Sequence, residues 1–413
     1  MSKIRLSELR LPLILVAEII LCLSFGDLVP TFIKTASYSL SVFLKNILVT
    51  ALPFIIFSIL FSSLGALKKG AFTFTALAFS LVIISNYFST SMGGFLGIQF
   101  LDYVEIATYN TGTAQQLIPL WETLFTPETL RRITEFWGLR ILHSISNDMA
   151  LFAGIFCGLL LAFSNHSKTK AVSLKMKHIA FSFLQKGFIP LIPLFILGYI
   201  FNMQHSGVLN SIFQDYFAII TLIVVSTFSY IVFLYGVASS FKIATWRRSL
   251  KNMFPAMLTG FSTMSSASAL PLLMEGAEKN TDHEVAKGVV PISINIHLVG
   301  DCFTISILAL TILMSFGHPL PTVEEYMIFT TFFVLAKFAV AAVPGGGILV
   351  MIPILEKYLG FTPEMLSLIT ALYILFDPMI TSANVLGNGA FAQLFERVYH
   401  LFHKEKKVSS WAN

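Results

Sequence analysis

Apolar runs long enough to cross a lipid bilayer recur along almost the whole chain, and they dictate the solvent in which it folds. A spanning helix needs about 20 predominantly apolar residues. Runs of this kind cover roughly 11–33, 39–66, 72–101, 137–164, 179–203 and 216–241. Lipid offers no partner to a bare peptide group, so each run must close its hydrogen bonds within itself, as a helix. Composition agrees: 55% of residues are hydrophobic and 12% charged, where a soluble domain carries about 25% charged residues. The net charge of +5 sits in loops and suggests no nucleic-acid partner. Cys22, Cys157 and Cys302 lie in apolar runs without metal-ligand spacing and read as small buried hydrophobes. The first run follows Lys3, Arg5 and Arg10, as in a signal peptide, but no small-residue cleavage site follows it. It reads as a span that is kept.

Beyond residue 241 the pattern changes. The segment 250–276 is interrupted by SSASALP, Ser265 to Pro271, and 329–357 by VPGGG, Val343 to Gly347. A fuller span at 286–315 separates them, and a last apolar segment covers 364–400. Basic residues favour the cytoplasmic side of short loops. The N-terminal flank, Lys68–Lys69, Lys168 to Lys177, Lys242 to Lys251 and Lys404 to Lys407 mark that side, whereas 203–215 and 316–326 contain no Lys or Arg. The alternation holds only if each interrupted segment enters and leaves on one face. Both are therefore expected to be re-entrant hairpins of opposite orientation, with both termini cytoplasmic. Paired broken helices suit a transporter: half-helix N-termini attract anionic solute groups, and freed carbonyls hold cations.

These pieces resemble a known family. GFSTMSSASALPLLMEGAEK, Gly260 to Lys279, resembles the serine-rich first hairpin of the dicarboxylate/amino acid:cation symporters, the glutamate-transporter family. AVPGGGILVMIPILEKYLGF, Ala342 to Phe361, resembles their second hairpin, and ILVTALPFIIFSIL, Ile47 to Leu60, their second span. PISINIHLVGD, Pro291 to Asp301, lies where they carry an unwound NMDGT stretch, and NVLGNGAF, Asn384 to Phe391, occupies the place of their last-helix motif. Order and spacing fit nearly the whole chain, with 102–136 poorly matched. The resemblance implies an all-α polytopic membrane protein with eight transmembrane helices, two re-entrant helical hairpins and inverted repeats. It also implies a single transporter domain in a homotrimer, with an elevator motion and the second hairpin as outer gate. The scaffold would comprise approximately 11–66 and 137–203, and the moving part 72–101 and 216–400. A bacterial inner membrane is the expected location.

The resemblance also implies a solute site. Its members would be Ser265 and Ser266 at the first tip, Val343, Pro344 and Gly345 at the second, and Asp377, Thr381 and Asn384 in the last helix. Asp377 falls where amino-acid-carrying members bind the solute's ammonium, and Asn384 where members bind its carboxylate. Ile380 and Met264 stand where members place an arginine for a second carboxylate, which would be costly to bury uncompensated. Val299 and Asn388 replace the carboxylates that bind sodium; Thr90 and Ser91 remain as oxygen donors. The Asn388–Gly389 pair is similar to the C4-dicarboxylate branch, where proton coupling is common. His297 and Asp301 are four apart, so a helix would set them on one face as a titratable, proton-coupling pair.

The expected function is symport of a small carboxylate-bearing solute, an amino acid or dicarboxylate, with H+ or Na+ and no cofactor. An uncoupled channel-like relative is one alternative. An intramembrane hydrolase using Ser265, Ser266, His297 and Asp301 is another, though no GxSxG or HExxH motif accompanies them.

Overall fold

The computed structural model describes residues 10–65, 72–101, 117–120, 146–163, 167–205, 208–340 and 345–409. Among these residues every regular element is helical. The chain begins with α1 (Arg10–Phe25), α2 (Thr31–Gly65), α3 (Phe72–Leu101) and α4 (Asn147–Phe163). Next come α5 (Ser167–Ser182), α6 (Ile192–His205) and α7 (Val208–Ala238). Between α5 and α6 the helix loosens into a π turn, Phe183–Phe188, then tightens into a 3-10 turn, Ile189–Leu191. Pro190 and Pro193 withhold amide donors there, so the regular ladder cannot continue. Five helical stretches of the described residues are long and apolar enough to span a membrane, one of them running from α5 through α6; α4 and Val299–Ser315 are shorter apolar helices. Phe32, Phe156, Phe217 and Phe233 project from their outer faces, as contact with lipid requires.

Both interrupted segments are helix–break–helix hairpins. In the first, α8 (Ile243–Thr263) ends at Met264, which adopts a left-handed conformation with φ 50°. Ser265 is extended, and its side chain caps α9 (Ser266–Glu278) by accepting from the Ser268 amide. Pro271 lies inside α9, so the break is earlier and shorter than SSASALP suggests. The arms run antiparallel: Asn252 Nδ2 donates to Asn280 Oδ1 at 2.7 Å, and Asn280 Nδ2 to the Ser249 carbonyl at 3.0 Å. The second hairpin comprises α12 (Val323–Lys337) and α13 (Gly346–Leu359), with Gly345 left-handed at φ 70° before α13. Phe332 stacks on Tyr358 across its arms, with ring centroids 4.3 Å apart. A capping box of Thr322 and Glu325 starts α12.

The run 286–315, apolar enough to read as one span, is split as the resemblance implies. It forms α10 (His283–Ser293) and α11 (Val299–Ser315), with 294–298 unwound. Side chains satisfy this irregular backbone. Asn86 of α3 donates to the Ile296 carbonyl at 2.7 Å and accepts from the Leu298 amide at 3.2 Å, while Asn388 donates to the His297 carbonyl at 3.0 Å. The last element, α14 (Pro363–Ser409), is unbroken despite the internal Pro378.

Helix α2 packs against α4, α5 and α6, and α1 against α6. A second group forms around α11, which is buried on all sides: α3, α7 and α14 pack on it, and both hairpins pack against this assembly. Where the groups meet, Lys357 and Tyr358 of α13 both engage Asp148 in the first turn of α4. Lys45 is buried and pairs with Glu356 at 3.7 Å.

Small residues allow the close seams. A side chain at Gly158 of α4 would meet Leu64 Cβ at 2.8 Å and the Leu60 carbonyl at 3.0 Å. Gly158→Leu should therefore destabilise the α2–α4 seam by about 1–3 kcal/mol, the usual cost of overpacking. Thermal melting of purified protein in detergent checks this, and an unchanged midpoint would contradict the seam.

Candidate functional site

The three breaks converge on one small cavity of ≈ 340 Å³. Its lining includes Met264 and Ser266 from the first hairpin, Asn295 and Leu298 from the unwound stretch, and Gly347 from the second hairpin. Asp301 opens α11 on one side; Tyr373, Asp377, Thr381 and Asn384 come from α14. The α14 residues fall at 373, 377, 381 and 384, spacings of four, four and three that put them on one helical face.

Asp377 ties the second hairpin to α14. Its Oδ2 accepts from the Gly345 amide at 2.9 Å and its Oδ1 from Thr381 Oγ1 at 3.0 Å. Gly345 is the residue before α13, so this carboxylate holds the tip at a helix N-terminus, where the backbone dipole favours negative charge.

Asp301 is the second buried carboxylate. Lys337 Nζ lies 2.7 Å from its Oδ2, while Tyr373 Oη and Asn384 Nδ2 donate to its Oδ1 at 3.1 and 2.8 Å. Asn384 is doubly used, because its Oδ1 also accepts from the Gly300 amide at 2.8 Å. A carboxamide nitrogen has two hydrogens, so the bond to Asp301 leaves a second donor for a ligand.

His297 stands elsewhere. It precedes α11, in the unwound stretch, so the four-residue spacing to Asp301 gives no shared helical face and the expected pair does not form. His297 Nε2 instead shares a hydrogen bond of 2.8 Å with Ser85 Oγ, and the ring stacks on Phe391 with centroids 4.4 Å apart. The imidazole is fully buried, and Nδ1 has no hydrogen-bond partner.

Other expected residues distribute as follows. Ser265 caps α9 beside the cavity, whereas Val343 and Pro344 lie outside the described residues. Asn388 is fully buried one turn beyond Asn384 and bonds the carbonyls of His297 and Asn384. Thr90 is committed: its Oγ1 donates to the Asn86 carbonyl at 2.8 Å, and its own carbonyl accepts from Tyr326 Oη at 3.0 Å. Ser91 Oγ has no partner. No group of three or more His, Cys, Asp or Glu that could hold a metal occurs among the described residues.

Sequence reasoning missed Lys337, Tyr373 and Asn86. A signal existed for Lys337, a lone cation in the apolar stretch FVLAKFAV, since an intramembrane lysine requires a partner. Tyr373 and Asn86 gave none, because their partners lie 72 and about 210 residues away in the chain.

Similarity to known proteins agrees with the motifs. A model of the sodium:dicarboxylate symporter family matches residues 11–398. Excitatory amino acid transporter 2 of Homo sapiens is 32% identical over 155 residues, covering 37% of this chain and 26% of that protein. The excitatory amino acid transporter of Caenorhabditis elegans is 30% identical over 153 residues, covering 37% and 29%. The proton/sodium-glutamate symport protein of Bacillus subtilis (strain 168) is 26% identical over 189 residues, covering 46% and 44%. The matched stretch thus spans less than half the length of each of these relatives.

Asn384→Ala should strand the Gly300 amide and remove a donor from Asp301. A loss of about 1–3 kcal/mol of stability is expected, as for a buried polar group left unpaired. Denaturation in detergent measures it, and wild-type stability would mean that this network is not formed.

Proposed function

Because the chain belongs to the sodium:dicarboxylate symporter family, whose members are transporters rather than enzymes, we propose that it is a secondary active transporter carrying a small carboxylate-bearing solute across a bilayer with a cation. The hydrolase reading falls with that membership. The observation that carries the proposal is the cavity enclosed by two hairpin breaks, with Asp377 fastening the second tip over it.

Charge favours an amino acid with an uncharged side chain over a dicarboxylate. The cavity contains two carboxylates, Asp301 and Asp377, and Lys337 is already committed to Asp301. A solute with two negative groups would face Asp377 with no cation among the lining residues to meet it. A zwitterion fits: its ammonium goes to Asp377, replacing the Gly345 amide or joining it. Its carboxylate goes to the N-terminal turns of α9 and α13, represented in the lining by Ser266 and Gly347, with the spare Asn384 donor.

The proposed cycle is an elevator. Helices α1, α2 and α4–α6 form the scaffold of a homotrimer in a bacterial inner membrane. Helix α3 and the elements from α7 onward move, and the hairpins are re-entrant. The packing of helices into these two groups supports this division. A larger cavity of ≈ 1430 Å³ lies between the groups, lined by Ser63 and Lys177 on one side and Lys287 on the other. Asn295 and Val340 line both cavities, which supports reading this vestibule as the inward path, on the side marked by basic loops.

The proposed coupling ion is the proton, with His297 as its carrier. Its unpartnered Nδ1 sits where a protonated ring would need a second acceptor, so gain of a proton must accompany rearrangement of the unwound stretch. Proteoliposome uptake of a solute panel, with proton and sodium gradients imposed separately, tests the proposal. Accumulation above equilibrium is expected with an inward proton gradient, and a purely downhill flux would make the protein a passive pathway. His297→Ala should abolish proton-driven accumulation while leaving assembly intact; retained proton-driven uptake would remove His297 from coupling. Asp377→Asn should weaken binding of an amino-bearing solute roughly tenfold or more, as loss of a buried charged partner does. Calorimetry reports it, and unchanged affinity would place the ammonium elsewhere.

A further inference from the structure

Lys337 is the last residue of α12, where the first arm of the second hairpin gives way to the tip. It is fully buried, as is Asp301 at 1% exposure. Its ammonium lies 2.7 Å from Asp301 Oδ2 and 4.6 Å from the centroid of the Phe333 ring. A carboxylate and an aromatic face are both favourable surroundings for a bare cation. A buried ion pair is nevertheless weak evidence for stability, because desolvating two charges offsets their attraction. The position of the pair gives it a use. It joins the second hairpin to the first turn of α11, and a side chain at Gly347, at the start of α13, would collide with Asp301 and Tyr373. Hairpin backbone is therefore seated directly on the carboxylate that Lys337 neutralises.

The oxygens of Asp301 itself are taken: they accept from Lys337, Tyr373 and Asn384. Val299, two residues before Asp301, is apolar, so α11 brings no second carboxylate beside it.

We propose that Lys337 is a tethered counter-cation, which balances Asp301 when the second hairpin is seated so that no sodium ion has to be captured at that carboxylate. Lys337 thereby specifies which ion this chain does not use, and the inference rests on the transporter reading for its place in the cycle. Lys337→Ala leaves Asp301 unbalanced and removes the side chain beyond Cβ, a space that ethylammonium can enter. Asp301→Asn combined with Lys337→Ala removes both charges.

Full-length wild type and both variants would be purified in detergent and melted in choline, sodium or ethylammonium chloride. Wild type should melt at the same temperature in all three salts. Lys337→Ala should melt lower in choline and be shifted upward by sodium or ethylammonium, whereas the double variant should again be indifferent to the salt. In proteoliposomes under a fixed proton gradient, wild-type uptake should be equal in sodium and choline. Uptake by Lys337→Ala should fall roughly tenfold or more in choline, as expected when one partner of a buried pair is removed, and recover in part with ethylammonium. Wild type stabilised specifically by sodium would overturn the proposal. So would a Lys337→Ala protein that responds to neither cation, or a double variant no better than the single one. If no solute is taken up by wild type, the transport reading fails and the melting data still decide the role of Lys337.

Discussion

Peptide groups freed at a helix break in lipid must find partners inside the protein, and the architecture around the site follows from that requirement. Among the described residues, three breaks border the cavity: before α9, before α11 and before α13. Each is closed by side chains, some of them from distant helices. Ser265 caps α9, Asn86 and Asn388 serve the unwound stretch, Asn384 takes the Gly300 amide, and Asp377 takes the Gly345 amide. Helix α14 supplies three of these residues and runs unbroken past Pro378.

The same residues that mend the backbone are the polar groups available to a solute. Asp377 and Asn384 are structural partners of the second hairpin and of α11. On the proposed reading a solute would share or displace those bonds, which would link its binding to the seating of the hairpin. Charge balance adds the second constraint. Two carboxylates in a cavity this small would repel each other, and Lys337 neutralises one of them. The site is left with one carboxylate whose partners, Gly345 and Thr381, are neutral.

Of the solute-site residues that the resemblance implies, Ser266, Asp377, Thr381 and Asn384 line the cavity, but their partners were not legible. The serine-rich and PGGG interruptions were legible because small polar residues and glycines stand out in apolar runs. Asn384 was legible through the last-helix motif, and Asp377 and Thr381 through the same match extended N-terminal to it. The pairing of His297 with Asp301 was inferred from a helical spacing that the unwound stretch does not have, so the true partners are Ser85 and Lys337. Lys337 was visible as a lone cation in an apolar stretch, but no local pattern paired it with Asp301 or Ser85 with His297, since each is brought in by a different helix.

From residue types alone, the solvent, the helical class, the positions of the two hairpins and the family could be read, because each depends on local composition and spacing. Tertiary structure decided which carboxylate meets which cation, which side chains close the breaks, and that His297 is isolated from Asp301. The physical reason is range: apolar periodicity acts within a turn or a span, whereas the Lys337–Asp301 and Asn86–Ile296 contacts join groups 36 and 210 residues apart, which only packing brings together.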